Sequence, residues 1–559
     1  MSKIANMHVA SSTAGSLSRR SLFKLGGLAT AVAAGASLAG CAPQPKSASM
    51  ADTGSGATRA ADGTPSFLIA PEPITEFDET RDFEVVVVGA GVSGMAAAMS
   101  AAEAGAKIAC VQREATPSSQ GNMAAGVDLN QTSEAGKQAL ISYLIKLADH
   151  RSNRALLEAW ADNSFEALSW FREAASAGGI EVNPDEPQAD RVLHISGYDV
   201  YLHANTYFGI GHGEVVKAIA PVAAQAGVEF FYSTPAVQLA TDDSGKVTGV
   251  VCESGKDHVL FNAAKGVILA TGDYQSDEDM VAHYCPDIVG FPPLQANRTG
   301  DGHKMAMWAG AVMEDGPYAP MTHSLGTNSV GIDPFLMVNQ DGKRFANEDV
   351  GAQELQNAIK RQKGGVSYQI FDSKWKEQLS AMPQCFGGVT HYIPPEQEAE
   401  YEHAINHFAA GYASDTYFQG EIEQGSIIPA DSIEELAKAV NIPADALVET
   451  VERYNELAHA GKDADFSKVS TRLFPVENPP YYAVPFGDSG MLVLIGGIDC
   501  DVDCRALDAE KNPVPGLFVA GNTMGGRFLV DYPVTVAGAS HSMAMSFGRL
   551  AGRKAAEGK

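Results

Sequence analysis

The chain has 559 residues and a formal net charge of −28, because 68 Asp and Glu outnumber 40 Lys and Arg. Hydrophobic residues make up 45% and charged residues 19%, with only seven Cys, which excludes a mostly disordered chain and a disulfide-rich miniprotein. The acidic balance argues against nucleic-acid binding, which needs Lys and Arg to displace counterions from phosphates. No Cys-x-x-Cys-His sequence is present, so no c-type haem is attached to this chain.

The first forty residues predict an export signal. Residues 18–24 read SRRSLFK, a twin-arginine signature, and residues 25–38 carry no charge. This uncharged stretch is too short to cross about 30 Å of hydrocarbon and fits the apolar region of a signal peptide. Residues 38–41 (LAGC) match a bacterial lipobox, which predicts a cell-envelope protein outside the cytoplasm, anchored by lipid on Cys41. The alternative is an Ala-rich signal with a chance Cys. Removal of residues 1–40 would leave 36 basic and 68 acidic residues, a net charge of −32.

Residues 41–80 predict a flexible tether, because Pro, Ser, Gly, Ala and Thr dominate and no periodicity is present. Residues 52–58 (DTGSGAT) resemble the segment that bacterial flavin transferases modify with FMN, through a phosphoester on the Thr, here Thr58. The alternative is an unmodified linker, since short motifs arise by chance in such composition.

A dinucleotide-binding unit follows the tether. Residues 83–88 (FEVVVV) predict a buried strand, and GAGVSG at 89–94 comes directly after it. An Ala-rich helix over 95–104 and a second strand over 106–111 complete a strand–loop–helix–strand order. This context makes the glycine pattern specific for a nucleotide pyrophosphate on the helix N-terminus.

Each glycine of this loop has a defined purpose. Gly89 permits the tight turn, Gly91 lets the backbone approach the pyrophosphate, and Gly94 allows close packing of helix and strand. The acid that usually binds the ribose is replaced by Gln112, whose carboxamide can still bond to a hydroxyl pair.

Later segments favour FAD over NAD. Residues 228–238 and 247–252 predict a hairpin around a turn at 242–246. Strands ending in ATG near 272 and in AGN near 522 are typical of two-dinucleotide-fold flavoproteins. The predicted helix over 539–556 would direct its N-terminal dipole at the flavin pyrimidine.

These segments resemble the FAD-dependent family of soluble fumarate reductases, urocanate reductases and 3-ketosteroid Δ1-dehydrogenases, from about residue 82 to 556. The further matching segments are 120–126, 299–306, 341–348, 479–484 and 496–499. The resemblance implies an α/β fold in which a Rossmann-like FAD-binding domain is interrupted by an α+β clamp, or capping, domain. The predicted organisation is a signal at 1–40, a tether at 41–80, the first part of the FAD-binding domain at 81–321, the clamp at 322–493 and the second part at 494–559.

The resemblance also implies non-covalent FAD, and no metal site is predicted. The residues that would contact FAD lie in the glycine-rich segments and at the ends of the flavin-domain strands. They are Gly89, Gly91, Val92, Ser93, Gly94, Gln112, Arg113, Gly121, Asn122, Ala125, Gly126, Ala270, Thr271, Gly272, Asp301, Gly521, Asn522 and Ala537.

Several fumarate-binding groups of the family are absent. The segment with the carboxylate-binding His is replaced by residues 492–497 (LVLIGG), and residues 529–535 lack the second carboxylate-binding Arg. Lys376 stands where the proton-donor Arg would be, and Ala352 replaces the relay Arg. Because a dicarboxylate needs paired cations, this argues against fumarate as substrate.

Four residues are candidates for catalysis. Tyr532, in a Tyr-Pro pair before the last helix as in ketosteroid dehydrogenases, could protonate an enolate carbon or simply pack under the flavin. Glu348 matches the family's proton relay. His323 lies one residue from a family His, and Lys376 could be a proton donor or part of a solvated helix face.

The sequence therefore predicts an exported FAD-dependent reductase. It would transfer a hydride from flavin N5 to a C=C bond conjugated with a carbonyl or carboxyl group. No NAD(P)H domain is evident, so the electrons would come from a membrane-linked donor, such as a cytochrome or a flavinylated carrier. The alternatives are a 3-ketosteroid Δ1-dehydrogenase-like enzyme and a non-catalytic flavin carrier. Cys500 and Cys504 would be structural thiols or a disulfide, since two thiols without a second Cys or His pair make a poor metal site.

Overall fold

The computed structural model describes residues 63–558, except 122, 181–189, 206–210, 325–333, 351, 383–413, 488, 534–535 and 537. The predicted export signal, Cys41, Thr58, Asn122 and Ala537 lie outside the described residues.

The described elements are single strands or groups of two to four strands, separated by α-helices. The strands are β1 (Glu79–Val88), β2 (Ile108–Val111), β3 (Ala124–Val127), β4 (Asp190–Ile195), β5 (Tyr198–Asn205), β6 (Val228–Phe231), β7 (Ala236–Thr241), β8 (Val247–Ser254), β9 (Asp257–Leu269), β10 (Ala319–Ser324), β11 (Leu336–Asn339), β12 (Ser367–Asp372), β13 (Ile428–Ala430), β14 (Tyr481–Phe486), β15 (Ser489–Ile495), β16 (Arg505–Leu507) and β17 (Pro513–Val519). The α-helices are α1 (Val92–Glu103), α2 (Glu134–Leu147), α3 (Arg154–Ala177), α4 (His212–Gln225), α5 (Glu278–Tyr284), α6 (Asp301–Trp308), α7 (Ala352–Ile359), α8 (Trp375–Ala381), α9 (Asp415–Gln424), α10 (Ile433–Ala439), α11 (Ala444–His459) and α12 (Ala539–Glu557).

The main sheet has the order β16-β17-β9-β1-β2-β6, with β8 also paired to β9 and β7 paired to β8. Strands β17, β9, β1, β2 and β6 run parallel. The last four residues of β1 are all buried, as expected for a parallel strand covered on both faces. Helices α1 and α12 approach each other closely, since a Cβ on Gly552 would lie 2.2 Å from the Ala97 carbonyl oxygen.

The predicted hairpin differs from the observed one. Its turn at 242–246 joins β7 to β8, as predicted. Residues 228–231, however, form β6 and extend the parallel sheet beside β2. The chain breaks between β6 and β7 at Ser233, which has a φ of +51°, so one predicted strand is two.

A second sheet, β11-β12-β14-β13, is antiparallel and carries its own apolar cores. One core includes Trp375 and Phe418 from helices α8 and α9, whose rings stack at 4.4 Å between centroids. The other is formed largely by helices α10 and α11 against the opposite side of the sheet. Strands β10 and β15 pair with each other in a separate two-stranded sheet. The sheet and its helices lie within the range predicted for the clamp.

The end of the predicted tether makes specific contacts with the flavin domain. Phe67 is buried against the rings of His283 and Tyr284, and its carbonyl oxygen accepts a hydrogen bond from Trp308 Nε1 at 3.0 Å. Farther along, the Ile74 N–H donates to Gln238 Oε1 at 2.8 Å. The structure therefore differs from a free linker that extends to residue 80.

No helix in the described part of the chain combines the length and the apolarity needed to cross a bilayer.

Candidate flavin and substrate site

The loop after β1 has the form required for a pyrophosphate. Gly89 has a φ of +106°, and a Cβ there would lie 2.5 Å from the Ala270 carbonyl oxygen. Gly91 is the N-cap of α1 and supplies no side-chain hydrogen bond, so the amides of the first turn face outward unpaired by a cap. A Cβ on Gly94 would lie only 1.8 Å from the Gly89 carbonyl oxygen, which confirms its packing purpose. An anion with several oxygens fits this helix end.

Gln112 lies against this loop at the end of β2. Its Oε1 accepts a hydrogen bond from the Ala90 N–H at 3.2 Å, and its Nε2 donates to the Thr116 carbonyl oxygen at 3.3 Å. Both ends of the carboxamide thus hold the surrounding loops. The ribose role of Gln112 stays a prediction.

Arg113 and Asp301 form an ion pair at 2.8 Å, and Arg113 also donates to Thr299 Oγ1 at 2.7 Å. The nearby Glu114 carboxylate accepts from Asn297 Nδ2 at 2.5 Å. These contacts bring the residues that follow β2 together with the start of α6. The FAD contacts of Arg113 and Asp301 stay predictions.

The ends of β9 and β17 are joined through two threonines. The Thr271 N–H donates to Thr523 Oγ1 at 3.1 Å, and Thr523 Oγ1 also lies 3.1 Å from the Gly272 carbonyl oxygen. Gly521 has a φ of +66°, and a Cβ there would lie 2.4 Å from Ser93 Oγ on α1. The three glycine-containing segments therefore converge at the carboxyl edge of the parallel sheet.

A fourth glycine segment approaches helix α12. Gly121 has a φ of +75°, and a Cβ there would lie 2.4 Å from the His541 ring. His541 Nε2 donates to the Gln120 carbonyl oxygen at 2.7 Å, and burial lowers the pKa of His541 to about 4. Ala125 and Gly126 continue into β3, where a Cβ on Gly126 would lie 2.8 Å from the Phe165 backbone.

Tyr532 is buried at the N-terminal end of α12. Its hydroxyl accepts a hydrogen bond from the Ser540 N–H at 3.2 Å, and its ring packs edge-on against Phe528. Burial raises the pKa of Tyr532, although the Ser540 hydrogen bond and the Arg527 charge act in the opposite direction. The phenol is therefore protonated at neutral pH.

The turn before Tyr532 contacts the clamp. Val530 has a φ of +68°, and the Asp531 N–H donates to the Leu529 carbonyl oxygen at 2.7 Å. Burial raises the pKa of Asp531 to about 6, although a hydrogen bond from the Asn357 side chain on α7 acts to lower it. Asp531 thus joins the flavin domain to the clamp beside the predicted proton donor.

Glu348 belongs to an ion cluster inside the clamp. Arg344 contacts both of its carboxylate oxygens at 2.8 Å, and Lys468 Nζ lies 3.5 Å away. Arg344 also binds Asp463 at 2.8 Å, and the side chains of Glu348 and Asp463 are fully buried. Through these two ion pairs Arg344 supports the clamp loop. The relay role of Glu348 stays a prediction, since these contacts already occupy its carboxylate.

Lys376 and His323 are placed at separate points. Lys376 forms an ion pair with Asp415 and lies 5.4 Å from the centroid of the Trp375 ring, on the wall of the clamp. The His323 backbone pairs with Gly490 in the β10–β15 ladder, and its side chain lies outside the described residues. The structure thus places Tyr532 in the flavin domain, and Glu348 and Lys376 in two parts of the clamp.

Residues 84–532 match the family model described as FAD binding domain. The chain belongs to this FAD-binding family.

Several relatives share most of its length. It is 27% identical to a fumarate reductase (cytochrome) of Shewanella frigidimarina, over 85% of this chain and 77% of that protein. It is 26% identical to a vinyl phenol reductase of Lactiplantibacillus plantarum, with coverage of 85% and 96%, respectively. It is 26% identical to a urocanate reductase of Eggerthella lenta, with coverage of 87% and 76%. The fold is also similar to the structure of a 3-ketosteroid-Δ4-(5α)-dehydrogenase from Rhodococcus jostii, with a TM-score of 0.64 and 21% identity. The match covers 89% of this chain and 99% of that chain.

These matches confirm the family, the fold class and FAD as the cofactor. The protein is an FAD-dependent oxidoreductase that acts on C=C bonds. The glycine cradle fits this group, because the loop geometry excludes side chains where a pyrophosphate must approach the backbone.

Two buried charges in this FAD-binding protein were not among the predicted site residues. Arg527 is 1% exposed, and Glu314 accepts hydrogen bonds from the Gly497 and Gly526 N–H groups at 3.0 and 2.6 Å. Burial raises the pKa of Glu314 to about 7. For Arg527, the sequence signal that could have identified it is a lone charge within a run of glycines and apolar residues at 524–530.

Cys500 and Cys504 are structural thiols. Both are buried and unbonded to each other, and their sulfurs donate to the Gly525 and Phe547 carbonyl oxygens. Burial raises the pKa of both thiols, which keeps them protonated. Among the described residues, no group of three or more His, Cys, Asp or Glu side chains is arranged to hold a metal.

Proposed function

We propose that this protein is an exported reductase that uses FAD to transfer a hydride to a C=C bond conjugated with a carbonyl or carboxyl group. When bound, FAD supplies the hydride, and this chain must hold the substrate and provide the proton. The observation that carries the proposal is the buried Tyr532 hydroxyl at the start of α12, where the helix end and the flavin segments meet. A neutral phenol at this position can donate a proton to the carbon next to the carbonyl group.

The region that would face the substrate favours a molecule with few negative charges. Val493 and Leu494 are buried in β15, within the segment where fumarate reductases carry a carboxylate-binding His. The Leu494 N–H is itself occupied by Asp273, at 3.1 Å. An aryl acrylate, an enone or a monocarboxylic enoate suits such a surface better than a dicarboxylate.

An anaerobic assay with a reduced viologen dye tests this function. Purified FAD-loaded protein is given a panel of enoates, enones and aryl acrylates, with fumarate as the charged comparison. We expect oxidation of the dye with at least one uncharged or monocarboxylic member and little with fumarate. Purified protein without FAD, or fumarate as the best substrate, would contradict the proposal.

The second candidate is a dehydrogenase acting on a steroid-like ketone. The Tyr532-Pro533 pair favours it, because ketosteroid dehydrogenases carry Tyr-Pro at a similar distance before the last helix. An artificial electron acceptor with saturated cyclic ketones distinguishes the two directions. Faster oxidation of a ketone than reduction of every alkene in the panel would favour the dehydrogenase.

The route of the electrons forms part of the proposal. Twin-arginine export and a lipid on Cys41 would place the enzyme at the outer face of the membrane, next to a cytochrome or a flavinylated carrier. FMN on Thr58 would make the tether an electron input. Mass spectrometry of the tryptic peptide containing Thr58 tests the FMN, and membrane fractionation of Cys41→Ser tests the anchor. An unmodified peptide would refute the FMN on Thr58. A Cys41→Ser variant that stays in the membrane fraction would refute the lipid anchor.

A further inference from the structure

Arg527 is a buried cation with an unused hydrogen-bond donor. Its Nε donates to the Met524 carbonyl oxygen at 3.2 Å, and its Nη2 donates to Asn522 Oδ1 over a long 3.4 Å. Its Nη1 is buried and has no hydrogen-bond partner among the described residues. A buried charge with an unsatisfied donor is costly, so this arrangement points to a group that completes it.

The positive charge is not cancelled by a contacting acid. Arg527 takes part in no ion pair with a carboxylate of the described residues, and both Glu314 oxygens are bonded to backbone N–H groups. Burial lowers the pKa of Arg527 to about 10, while the Glu314 charge acts to raise it. Arg527 therefore carries its charge at neutral pH.

This cation is adjacent to the flavin segments. Asn522 Oδ1 lies 3.3 Å from Ser540 Oγ as well as 3.4 Å from Arg527, so both neighbours bind the same carboxamide oxygen. The carboxamide Nδ2 then remains as the donor available to a ligand. Ser540 lies in the first turn of α12, whose N-cap Gly538 supplies no side-chain hydrogen bond.

We propose that Arg527 is a positioning residue of the flavin site that orients Asn522 toward FAD and supplies a fixed positive charge favouring the reduced, more negative flavin. The low-dielectric surroundings strengthen the effect of such a charge. The proposal rests on FAD binding and is independent of the substrate and of the direction of the reaction.

The test is the midpoint potential of the bound FAD, measured by anaerobic dye titration in Arg527→Gln, Arg527→Lys and the wild type. We expect the midpoint potential of Arg527→Gln to lie at least about 30 mV below that of the wild type. For a two-electron couple this shift corresponds to a tenfold greater preference for the oxidised flavin. The lysine variant keeps the charge and should keep most of the potential. Because the lysine ammonium lacks the planar, forked donors of a guanidinium, the Arg527→Lys variant should bind FAD several-fold more weakly.

The matched control is Arg549→Gln, which removes another buried arginine of the same domain. Arg549 contacts Glu166 at 2.7 Å on the other side of α12 and should leave the potential unchanged. If Arg527→Gln does not fold or hold FAD, Asn522→Asp replaces it, because a carboxylate there would neutralise the guanidinium and lower the potential. A midpoint potential less than about 30 mV below that of the wild type, in Arg527→Gln or in its replacement Asn522→Asp, would overturn the proposal. An equal shift in Arg549→Gln would also overturn it.

Discussion

The hydroxyl of Tyr532 lies 3.2 Å from the backbone N–H of Ser540 and accepts its hydrogen bond at the start of helix α12. Removal of this hydroxyl in Tyr532→Phe should lower turnover by about 10²- to 10⁴-fold, the usual contribution of a general acid. FAD content should stay close to that of the wild type, since the ring still packs against Phe528. Viologen-linked turnover and flavin absorbance measure the two effects.

Tyr481→Phe is the control for loss of a tyrosine hydroxyl. Its hydroxyl donates to the Glu477 carbonyl oxygen in the clamp, at 3.1 Å, and no chemistry is assigned to it. Near wild-type turnover in Tyr532→Phe would eliminate Tyr532 as the proton donor.

Substitutions of Glu348 distinguish a structural role of this residue from a catalytic one. Glu348→Ala leaves Arg344 and Lys468 buried without their shared carboxylate, and such a broken pair typically costs about 3–5 kcal/mol. We expect a large fall in the free energy of unfolding, measured by chemical denaturation. Glu449→Ala, which removes an exposed partner of Lys343, should change it little. If Glu348 is instead a proton relay, Glu348→Gln should keep the stability of the wild type and lose turnover.

Glu314 should make stability depend on pH. Its folded-state pKa is raised to about 7 by burial, whereas a Glu in the unfolded chain titrates near 4.3. As pH rises through this window, the unfolded chain has released the proton that the folded protein still holds, so the free energy of unfolding falls. Above about pH 7 this contribution levels off.

The Glu314 effect is best measured as a difference between variants. The pKa values of buried His303 and His541 are lowered to about 4, and these groups change stability in the opposite direction as they titrate. We expect Glu314→Gln to gain stability relative to the wild type between pH 5 and 7 in denaturation series. A difference that is constant over this range would show that the Glu314 carboxyl titrates normally.

Gly89 can be tested against a glycine of equal backbone conformation. Gly89 and Gly227 both have a φ of +106°, but a Cβ would lie 2.5 Å from the Ala270 carbonyl oxygen at Gly89 and meets nothing within 4 Å at Gly227. Gly89→Ala should therefore abolish FAD binding, while Gly227→Ala should cost only the backbone strain, about 1 kcal/mol. The FAD-to-protein ratio after purification measures the outcome. Normal FAD content in Gly89→Ala would disprove the close approach.

Local patterns predicted the flavin domain well. The strand before Gly89 and the helix near 539–556 follow from apolar runs and glycine spacing, and the structure places them at Glu79–Val88 and Ala539–Glu557. The site is less predictable, because its contacts join distant parts of the chain. Arg344, for example, meets Asp463, which lies 119 residues later in the chain. Neither Asp463 nor Arg527 belongs to a motif, so sequence spacing could not identify their partners.

The turn centred on Val530 has a further consequence. A positive φ at a β-branched residue, closed by a hydrogen bond between residues two apart, is the rare and strained form of the γ-turn. Such conformations cost about 1–3 kcal/mol and persist where surrounding contacts enforce them. Directed evolution for heat resistance should therefore readily select glycine at position 530. The selected enzymes would unfold at higher temperature but hold Asp531 and Tyr532 less rigidly, so gains in durability at this position would come with slower catalysis.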